Sequence, residues 1–400
     1  MDEVRVGIIG LGNVGTHHCS YVDDIEGAKL TAICDADESK LELSSIEDFD
    51  HDVGDIEEVS EGVSTFTDYR KMYDSGEIDA VIVAVPHYFH MEMAIEAFER
   101  GIHVLCEKPV AVSASHARKI NRAHRDSNVV YAAMFQKRTE PIQKKIKEII
   151  EDGTLGEIRR ITFIKTDWFR TQTYYDSGGW RGNWTGEGGG ILTNQLPHDL
   201  DLFQWFFGLP KRLTALVYLG KWHDITVEDD VLTLMEMKNG ATASLISSTG
   251  EAPGSDRLEI AGENGKLLRK EGKLHFYRLE DPVQEIIDTA EKGFYKPEPD
   301  HAILDVPDEP SGHKFVTENF VKRILAKEDY LISPGEEGLK SVQLANAILY
   351  SGMKDEQVNV PVPEDEFEDL MEELREDETE NFPDQVFDWE EVFWKPESLK

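Results

Sequence analysis

Cysteine is scarce in this sequence, and long hydrophobic runs are absent. The three cysteines among 400 residues, Cys19, Cys34 and Cys106, have the spacing of neither a disulfide framework nor a metal site. We therefore expect reduced thiols and a cytoplasmic protein. No apolar run is long enough to cross a bilayer, and the acidic opening "MDEVRVGIIG" leads directly into a strand pattern, which is not typical of a signal peptide.

Positive charge is scarce as well. Lysine and arginine number 42 against 79 aspartates and glutamates, which gives a formal net charge of -37. Because such a surface repels nucleic acid and anionic membranes, we expect neither as a partner. The acidic residues are dense in both 23–61 and 364–391, and this spread favours adaptation to concentrated salt over a single acidic interaction tail.

The first part of the chain alternates strand and helix patterns. The helical stretch "HMEMAIEAFERG" separates two of its apolar runs and ends on Gly101. Since continuous apolar strands joined by helices form parallel sheets that are covered on both faces, we predict an α/β domain over residues 1–135. The predicted strands are the apolar runs at 4–10, 29–35, 79–86, 103–109 and 128–135.

The pattern changes after Pro141. Turn sequences such as "MKNGAT" and "GENGK" predict a large, mostly antiparallel open sheet between 212 and 278, within an α+β domain over 136–355. The other predicted elements are a basic helix at 141–151, a strand near 158–168 and helices at 311–327 and 335–352.

Residues 356–400 form an acidic extension that also contains aromatic side chains. A purely disordered acidic tail does not need such side chains. We therefore expect a helix and then an extended segment that docks on this subunit or on a neighbour. The aromatic residues are Phe382, Phe387, Trp389, Phe393 and Trp394.

The segment "GLGNVG" follows the first predicted strand and opens a helical pattern. Its glycines would allow a tight turn, a close approach of the backbone to a pyrophosphate, and close packing of helix on strand. Alone the motif is weak, because glycine-rich turns are common, but here both the strand and the helix flank it. The sequence therefore predicts a Rossmann dinucleotide-binding domain, with its cofactor turn at Gly10, Gly12, Asn13, Val14 and Gly15.

Asp35 ends the second predicted strand, 20 residues after Gly15. A carboxylate at this position accepts hydrogen bonds from the adenosine ribose hydroxyls and repels a 2′-phosphate, so NAD is favoured over NADP. The alternative is that Asp35 caps a helix that begins near Ser39, a role that does not require this spacing.

Several segments together resemble the Gfo/Idh/MocA family, which includes glucose–fructose oxidoreductase and inositol dehydrogenase. The resemblance implies a Rossmann domain followed by a domain whose open sheet often forms subunit interfaces, and hence a homodimer or homotetramer. It also implies NAD-dependent hydride transfer at a hydroxyl carbon of a sugar, sugar acid or cyclitol. The matching segments are "GIIGLGNVG", "VIVAVPHYFH", "EKP" (107–109), "DGTLGEI" and "GEGGGILTNQLPHDLDLFQW" (186–205).

Lys108 lies at the carboxyl end of an apolar strand, at a position that faces the ligand crevice in parallel sheets. Beside a positively charged nicotinamide its ammonium form is disfavoured, which eases proton exchange. An isolated lysine at a strand end would more simply extend to solvent. The resemblance instead makes Lys108 a site residue, and it implies that the cofactor is lined by Pro86, His87, His90, Glu107, Lys108 and Gln136.

The segment 186–205 supplies the other catalytic candidates. In the family pattern a histidine at the position of His198 is the usual proton-transfer residue, and an aspartate commonly stands where this sequence has Asn194. Their i, i+4 spacing predicts one helical face. Asn194 can orient His198 or a substrate hydroxyl but cannot hold a charge, so either His198 or Lys108 remains a candidate for the principal base. The glycines at 188–190 allow a close approach of backbone to another surface, and a buried structural role is the alternative for His198.

The segment "TDWFRTQTYYDSGGWRGNW" (166–184) is the candidate substrate wall. Aromatic rings stack on sugar faces and arginines bind hydroxyls or a carboxylate, although such side chains equally suit packing or subunit contacts. The candidates are Trp168, Arg170, Tyr175, Trp180, Arg181 and Trp184. The "HDLD" stretch (198–201) suggests a metal, but the cofactor itself takes the hydride and no further ligand cluster is visible, so we expect none.

The leading hypothesis is a sugar or cyclitol dehydrogenase. Its rival among enzymes is a glycoside-cleaving member of the same family, in which a ring hydroxyl is oxidised transiently and no net NADH accumulates. A third possibility is a non-enzymatic relative that senses ligands. The presence of both Lys108 and His198 argues against that third hypothesis.

Overall fold

Two sheets organise the part of the chain that the computed structural model describes, residues 2–42 and 62–389. Part of the acidic stretch 23–61, together with Phe393 and Trp394, lies outside these residues. The first sheet has the strand order β3-β2-β1-β4-β5-β6, and all its neighbouring strands pair in parallel. Its strands are β1 (Val4–Ile9), β2 (Ala28–Cys34), β3 (Ser64–Phe66), β4 (Ala80–Val83), β5 (His103–Cys106) and β6 (Tyr131–Ala133).

Helices cover both faces of this sheet, which confirms the predicted Rossmann architecture. Met93 and Ile120 belong to the helices on one face. On the other face, Phe320 packs with Ile8 of β1, although it belongs to a helix that is far away in sequence. The helices are α1 (Asn13–Cys19), α2 (Tyr69–Asp74), α3 (His90–Glu99), α4 (Ala114–Arg125) and the later α9 (His313–Ile324).

The second sheet has nine strands in the order β14-β13-β12-β11-β7-β10-β9-β8-β15. Its neighbours are antiparallel except for β7 and β10, which pair in parallel, so the prediction of a mostly antiparallel sheet is confirmed. The strands are β7 (Ile158–Lys165), β8 (Arg212–Leu219), β9 (Glu228–Glu236), β10 (Thr242–Ser248), β11 (Asp256–Gly262), β12 (Gly265–Lys270), β13 (Lys273–Arg278), β14 (Asp300–Leu304) and β15 (Val358–Asn359).

One face of the second sheet packs on helices and the other is open. Leu213 and Met235 face the helices and are buried, whereas Leu216 and Leu234 on the opposite face are 47% and 60% exposed. The predicted helices near 141, 311 and 335 are all present. The helices of this part are α5 (Pro141–Glu151), α6 (Gln172–Asp176), α7 (Pro197–Phe207), α8 (Val283–Thr289) and α10 (Gly338–Lys354). No described helix combines the length and the hydropathy that crossing a membrane requires.

Asn194 and His198 do not share a helical face, so this prediction was wrong. Helix α7 begins at Pro197, because proline has a helical φ and no N–H group and therefore suits the first helical position. Asn194 lies in the preceding turns, where its backbone N–H donates to the Gly190 carbonyl at 2.9 Å.

The C-terminal extension continues as β15 and then as helix α11 (Glu364–Asn381). The helix buries Phe367 and Met371 in the main hydrophobic core. Beyond it, the Trp389 indole N–H donates to the Thr185 carbonyl at 2.7 Å, and the ring packs edge-on against Phe89. As far as residue 389, the extension therefore docks on its own subunit.

Candidate active site

The predicted cofactor residues lie just beyond the carboxyl ends of the parallel strands. Strands in such a sheet all end at the same edge, and ligands bind in the crevice outside that edge. The fold therefore brings together segments that are more than a hundred residues apart in sequence. The residues that follow β1, β2, β4, β5 and β6 are Gly10, Asp35, Pro86, Lys108 and Gln136, respectively.

The glycine-rich turn has the shape that a dinucleotide pyrophosphate requires. Gly10 has φ +88°, and a Cβ on Gly15 would collide with the Gly10 carbonyl. None of the described atoms lies within 4 Å of where a Cβ on Gly12 would stand. Asn13 and Val14 open helix α1 on the exposed side, and the helix start has no side-chain cap. These residues fit a dinucleotide, whose phosphates would meet the first N–H groups of the helix.

Asp35 holds the glycine-rich turn against the end of β2. Its carboxylate is buried and accepts the Leu11 N–H at 2.7 Å and the Asp37 N–H at 2.9 Å. The cap of the following turn is Asp37, which accepts the Ser39 N–H at 3.0 Å. The alternative role of Asp35 as a helix cap is therefore wrong.

Lys108 is held at the centre of the cleft. Its ammonium donates to the backbone carbonyl of Asn194 at 2.8 Å. Burial lowers the pKa of Lys108, and the positive charge of Arg170 adds to this effect, while Glu107 and Glu187 oppose it. The amine is thus closer to neutrality than that of an exposed lysine, which suits a group that exchanges protons.

His198 lies beside this lysine with one ring nitrogen unused. Its Nε2 is 3.3 Å from the Gln136 amide nitrogen, whereas its buried Nδ1 has no hydrogen-bond partner in the described residues. Burial lowers the pKa of His198 well below its usual value, and the positive charge of Lys108 lowers it further. The Gln136 amide oxygen also has no partner in the described residues, and an amide turned by 180° would place this oxygen against Nε2 as an acceptor. The neutral ring then carries its hydrogen on Nε2, and Nδ1 can accept a hydrogen bond, and then a proton, from a hydroxyl group.

Asn194 contacts neither ring nitrogen of His198 and instead binds two residues that the sequence did not single out. Its Nδ2 donates to the Tyr174 hydroxyl at 3.1 Å and to the Glu187 carboxylate. Glu187 is fully buried and also accepts the Gly182 N–H at 2.8 Å, and burial raises its pKa to about 7. A carboxyl group therefore lies next to the amide that replaces the family's usual aspartate. The feature of the sequence that could have indicated Glu187 is its position directly before three glycines.

Two of the predicted cofactor residues are engaged by the protein itself. Glu107 accepts from the His18 ring at 2.9 Å and so ties β5 to helix α1. Both ring nitrogens of His90 lie within 2.8 Å of backbone carbonyls, those of Pro109 and Val85. These side chains position the loops around the cleft.

His87 and the glycines at 188–190 bring the second domain against the first. The Nδ1 of His87 is 3.1 Å from the Glu187 carbonyl, and its ring packs edge-on against Trp180. A Cβ on Gly190 would collide with the carbonyl of Glu228. Gly190 therefore approaches the start of β9 within the second domain, whereas a Cβ on Gly188 would collide with Val112 of the first domain.

The candidate substrate wall divides into exposed and buried members. Trp168, Arg170, Trp180 and Arg181 are partly exposed. Tyr175 and Trp184 are 4% and 1% exposed, and their polar atoms already bind the Thr249 hydroxyl and the Thr226 carbonyl, at 3.0 Å each. Tyr174, which the sequence analysis passed over, lies in the wall instead.

The "HDLD" carboxylates are occupied by basic side chains. Asp199 accepts from Lys137 at 2.9 Å, and Asp201 forms a buried ion pair with Arg138 at 2.7 Å. Throughout the described ranges, no three histidine, cysteine or acidic side chains are grouped as metal ligands.

Comparison with known proteins agrees with this geometry. Residues 4–135 match the family described as "Oxidoreductase family, NAD-binding Rossmann fold", and residues 143–268 match the "GFO/IDH/MocA C-terminal domain". The chain belongs to the Gfo/Idh/MocA family. Its first domain is therefore an NAD-binding Rossmann domain, and the protein is an oxidoreductase of this family.

Gfo/Idh/MocA relatives of known activity are similar at low identity. The myo-inositol 2-dehydrogenase of Thermotoga maritima is 25% identical over 280 residues, 66% of this chain and 75% of the relative. The inositol 2-dehydrogenase of Rhizobium meliloti is 24% identical over 363 residues, 89% of this chain and 99% of the relative. The structure of the WlbA dehydrogenase from Bordetella pertussis, in complex with NADH and UDP-GlcNAcA, has a TM-score of 0.72 at 24% identity, with 90% and 100% of the two chains covered. This structural likeness shows a shared fold.

Proposed function

We propose that the protein is an NAD-dependent dehydrogenase that acts on a hydroxyl carbon of a sugar, sugar acid or cyclitol. The observation that carries the proposal is the pairing of Lys108 with His198 at the end of β5. His198 is buried and Lys108 half-buried in one cleft, both have lowered pKa values, and His198 keeps a ring nitrogen without a partner in the described residues. The inositol dehydrogenases among the relatives support this class of substrate.

In the oxidative direction, His198 and Lys108 both take part in proton transfer. The nicotinamide, when bound, accepts the hydride from the hydroxyl carbon. With its hydrogen on Nε2, the neutral His198 accepts the hydroxyl proton at Nδ1 while the Lys108 amine donates a hydrogen bond to the same oxygen. The imidazolium then returns this proton to solvent through the neutral amine of Lys108. A positioned general base of this kind increases the reaction rate by ~10²–10⁴-fold. Gly10, Gly12, Gly15 and Asp35 would hold the dinucleotide.

NAD is the proposed cofactor in preference to NADP. The support is the carboxylate of Asp35 at the end of β2, which would repel a 2′-phosphate. Lys40 is the nearest cation in the described residues, with its ammonium 3.9 Å from that carboxylate. The test is the ratio of kcat/KM for the two cofactors with one sugar.

The decisive experiment follows the absorbance of reduced nicotinamide in molar potassium chloride. NAD and NADP are each offered with aldoses, inositols, aldonates and glycosides. We expect net reduction with one of the sugar or cyclitol classes. Glycoside cleavage without net reduction would contradict the proposal and favour the redox-neutral glycoside-cleaving alternative. Absence of any turnover would favour a ligand-sensing relative.

Replacement of Lys108 tests its role directly. Lys108→Met keeps the length of the side chain but removes the amine, and we expect turnover to fall by ~10²-fold or more while the Kd for NAD changes little. Both values come from steady-state kinetics and cofactor titration. Lys144→Met, on the surface of α5, is the matched control. Unchanged turnover in Lys108→Met would contradict the assignment.

We further propose that the protein works in the cytoplasm as a homo-oligomer. The support is the open face of the second sheet, where Leu216 and Leu234 are exposed on neighbouring strands. Such a patch is typical of a subunit contact. Light scattering of the purified protein in molar potassium chloride measures the mass, and the mass of a monomer would contradict this part of the proposal.

A further inference from the structure

The candidate substrate wall holds two guanidinium groups that lack carboxylate partners. Arg170 and Arg181 each lie 4.9 Å from the ring centre of Tyr174. Each forms one hydrogen bond, at 3.0 Å, to a backbone carbonyl, that of Phe169 or Ser177. Their Nε atoms are buried and have no partner in the described residues. Within those residues, neither group is within ion-pair distance of an acidic side chain.

Unpaired cations are unexpected in this protein. Acidic residues number 79 against 42 basic ones, so a carboxylate is easily supplied. The neighbouring lysines have such partners: Lys137 binds Asp199 at 2.9 Å and Lys165 binds Asp167 at 3.0 Å. A guanidinium group that is removed from water requires hydrogen bonds and an opposite charge. Two such groups without carboxylate partners in one wall therefore indicate that an anion from outside the protein binds them.

The two arginines are linked to the catalytic centre through Tyr174. The Tyr174 hydroxyl accepts from the Asn194 amide at 3.1 Å, and the Asn194 carbonyl accepts from Lys108 at 2.8 Å. The charge of Arg170 also contributes to the lowered pKa of Lys108. The wall that carries the two guanidinium groups is therefore the wall that faces the proposed site of reaction.

The balance of charge at this centre is positive. Lys108, Arg170 and Arg181 face it, and the carboxyl groups that act on Lys108 are Glu107, which accepts from the His18 ring, and Glu187, whose pKa burial raises to about 7. Near neutral pH, up to three positive charges therefore meet the Glu107 carboxylate and a Glu187 carboxyl that is close to its pKa, so positive charge is in excess. A neutral polyol would leave this excess uncompensated, whereas a carboxylate or phosphate would pair with the fork of each guanidinium.

We propose that Arg170 and Arg181 form a subsite for an anionic group on the substrate, so that the sugar is an acid or a phosphate ester. The inference rests on the proposed dehydrogenase function for the reaction, but the binding of the anion does not depend on turnover. Tyr174, whose ring both guanidinium groups contact, holds them in the same wall.

Matched substrate pairs test the proposal. Glucose, glucuronate and glucose 6-phosphate, and likewise galactose and galacturonate, are compared in NADH formation by the full-length protein at several salt concentrations. We expect an anionic member to exceed its neutral partner in kcat/KM by about tenfold or more, since a charge-assisted hydrogen bond contributes about 1.5–3 kcal/mol. A preference for the carboxylates or for the phosphate identifies the anion. Equal or better use of the neutral sugars would overturn the proposal and leave the dehydrogenase function intact.

A binding measurement separates the two proposals. Calorimetric titration of glucuronate and of glucose 6-phosphate into the NAD-loaded protein needs no turnover. We expect Arg170→Met and Arg181→Met each to weaken the affinity for the tighter-binding anion by about tenfold. Arg170→Lys should recover part of this affinity. Arg278→Met, on the exposed strand β13, should leave the affinity unchanged. Binding of an anion without any dehydrogenation would support the subsite and contradict the proposed function. Unchanged anion affinity in both methionine variants, or no anion binding at all, would overturn the subsite.

Discussion

Burial of single residues determines the chemistry that this cleft can perform. Burial favours the uncharged form of a titratable group, so it lowers the pKa of Lys108 and His198 and raises that of Glu187 to about 7. Lys108 and Glu187 therefore change protonation state more easily near neutral pH than exposed groups do, whereas His198 stays neutral until a reacting hydroxyl supplies a proton. A lysine or glutamate on the surface of this protein would not exchange protons so readily with an alcohol.

The pH dependence of stability tests the environment of Glu187. Below pH 4.5, the ordinary pKa of glutamate, the carboxyl is protonated in both the folded and the unfolded chain. Between 4.5 and about 7 the unfolded chain has lost this proton while the folded protein keeps it, so the folded state loses stability as pH rises. Glu187→Gln removes this loss. Its stability relative to wild type should therefore increase by at most about 3 kcal/mol across that window, at about 1.4 kcal/mol per unit.

Urea unfolding at pH 5, 6, 7 and 8 measures this change. The exposed Glu298→Gln is the control, and its difference from wild type should stay constant with pH. Glu228, a second buried carboxyl that faces Glu187, is present in every variant, so its titration enters each curve. A Glu187→Gln difference that is the same at all four pH values would mean that Glu187 is already ionised at pH 5.

Among single residues, the sequence predicted those that stand at fixed positions in motifs. Gly10 and Asp35 lie directly after strands and Lys108 is the second residue after β5, and strand ends are visible as the limits of apolar runs. Glu187 and Tyr174 were missed because loops have no periodicity from which the direction of a side chain can be deduced. Tyr175 was chosen in place of its neighbour for the same reason.

Helices and strands were predicted where the apolar periodicity is regular or where glycine and proline mark their ends. Five of the six parallel strands and helix α5 were predicted because their apolar patterns continue over several residues, whereas the three-residue β3 was missed. The start of α7 was misplaced because the i, i+4 spacing of Asn194 and His198 also occurs across a turn, and Pro197 was the better signal. The parallel pairing of β7 with β10 joins segments about eighty residues apart, which no local pattern encodes.

Helix α11 stabilises the loop that carries Arg181 and Glu187. Glu378 on this helix is 1% exposed and accepts the backbone N–H groups of Trp184 and Thr185 at 2.7 and 2.9 Å. It also accepts from the Thr226 hydroxyl. One carboxylate therefore satisfies two buried backbone donors that the loop does not satisfy by itself.

Glu378→Gln should destabilise the protein and loosen this loop. An amide offers one acceptor oxygen in place of two, so a buried N–H loses its partner at a cost of about 1–3 kcal/mol. We expect a lower urea midpoint and a rise in KM for the sugar that exceeds any change in the Kd for NAD. Glu380→Gln, exposed on the same helix, should change neither value. Equal effects on the sugar and on NAD would indicate a general loss of structure.

At the scale of the whole molecule, the net charge of -37 is the dominant feature. Like charges spread over one folded surface repel each other and oppose the compact state. The Debye length falls from about 10 Å in 0.1 M salt to about 3 Å in 1 M salt, so that repulsion between surface carboxylates is largely screened in the concentrated solution. The buried ion pairs, such as Arg138 with Asp201, are screened much less because solvent ions do not reach them.

The free energy of unfolding should therefore rise with salt. We expect the urea midpoint to increase from about 0.1 M to about 1 M potassium chloride, because screening removes surface repulsion while the buried pairs persist. Urea carries no charge and does not itself screen. Sucrose, which is excluded from protein surfaces but carries no charge, is the control, and it should stabilise the protein without reproducing the dependence on ionic strength. A midpoint that falls or stays constant with potassium chloride would contradict adaptation to concentrated salt and would make the acidic residues an interaction surface instead.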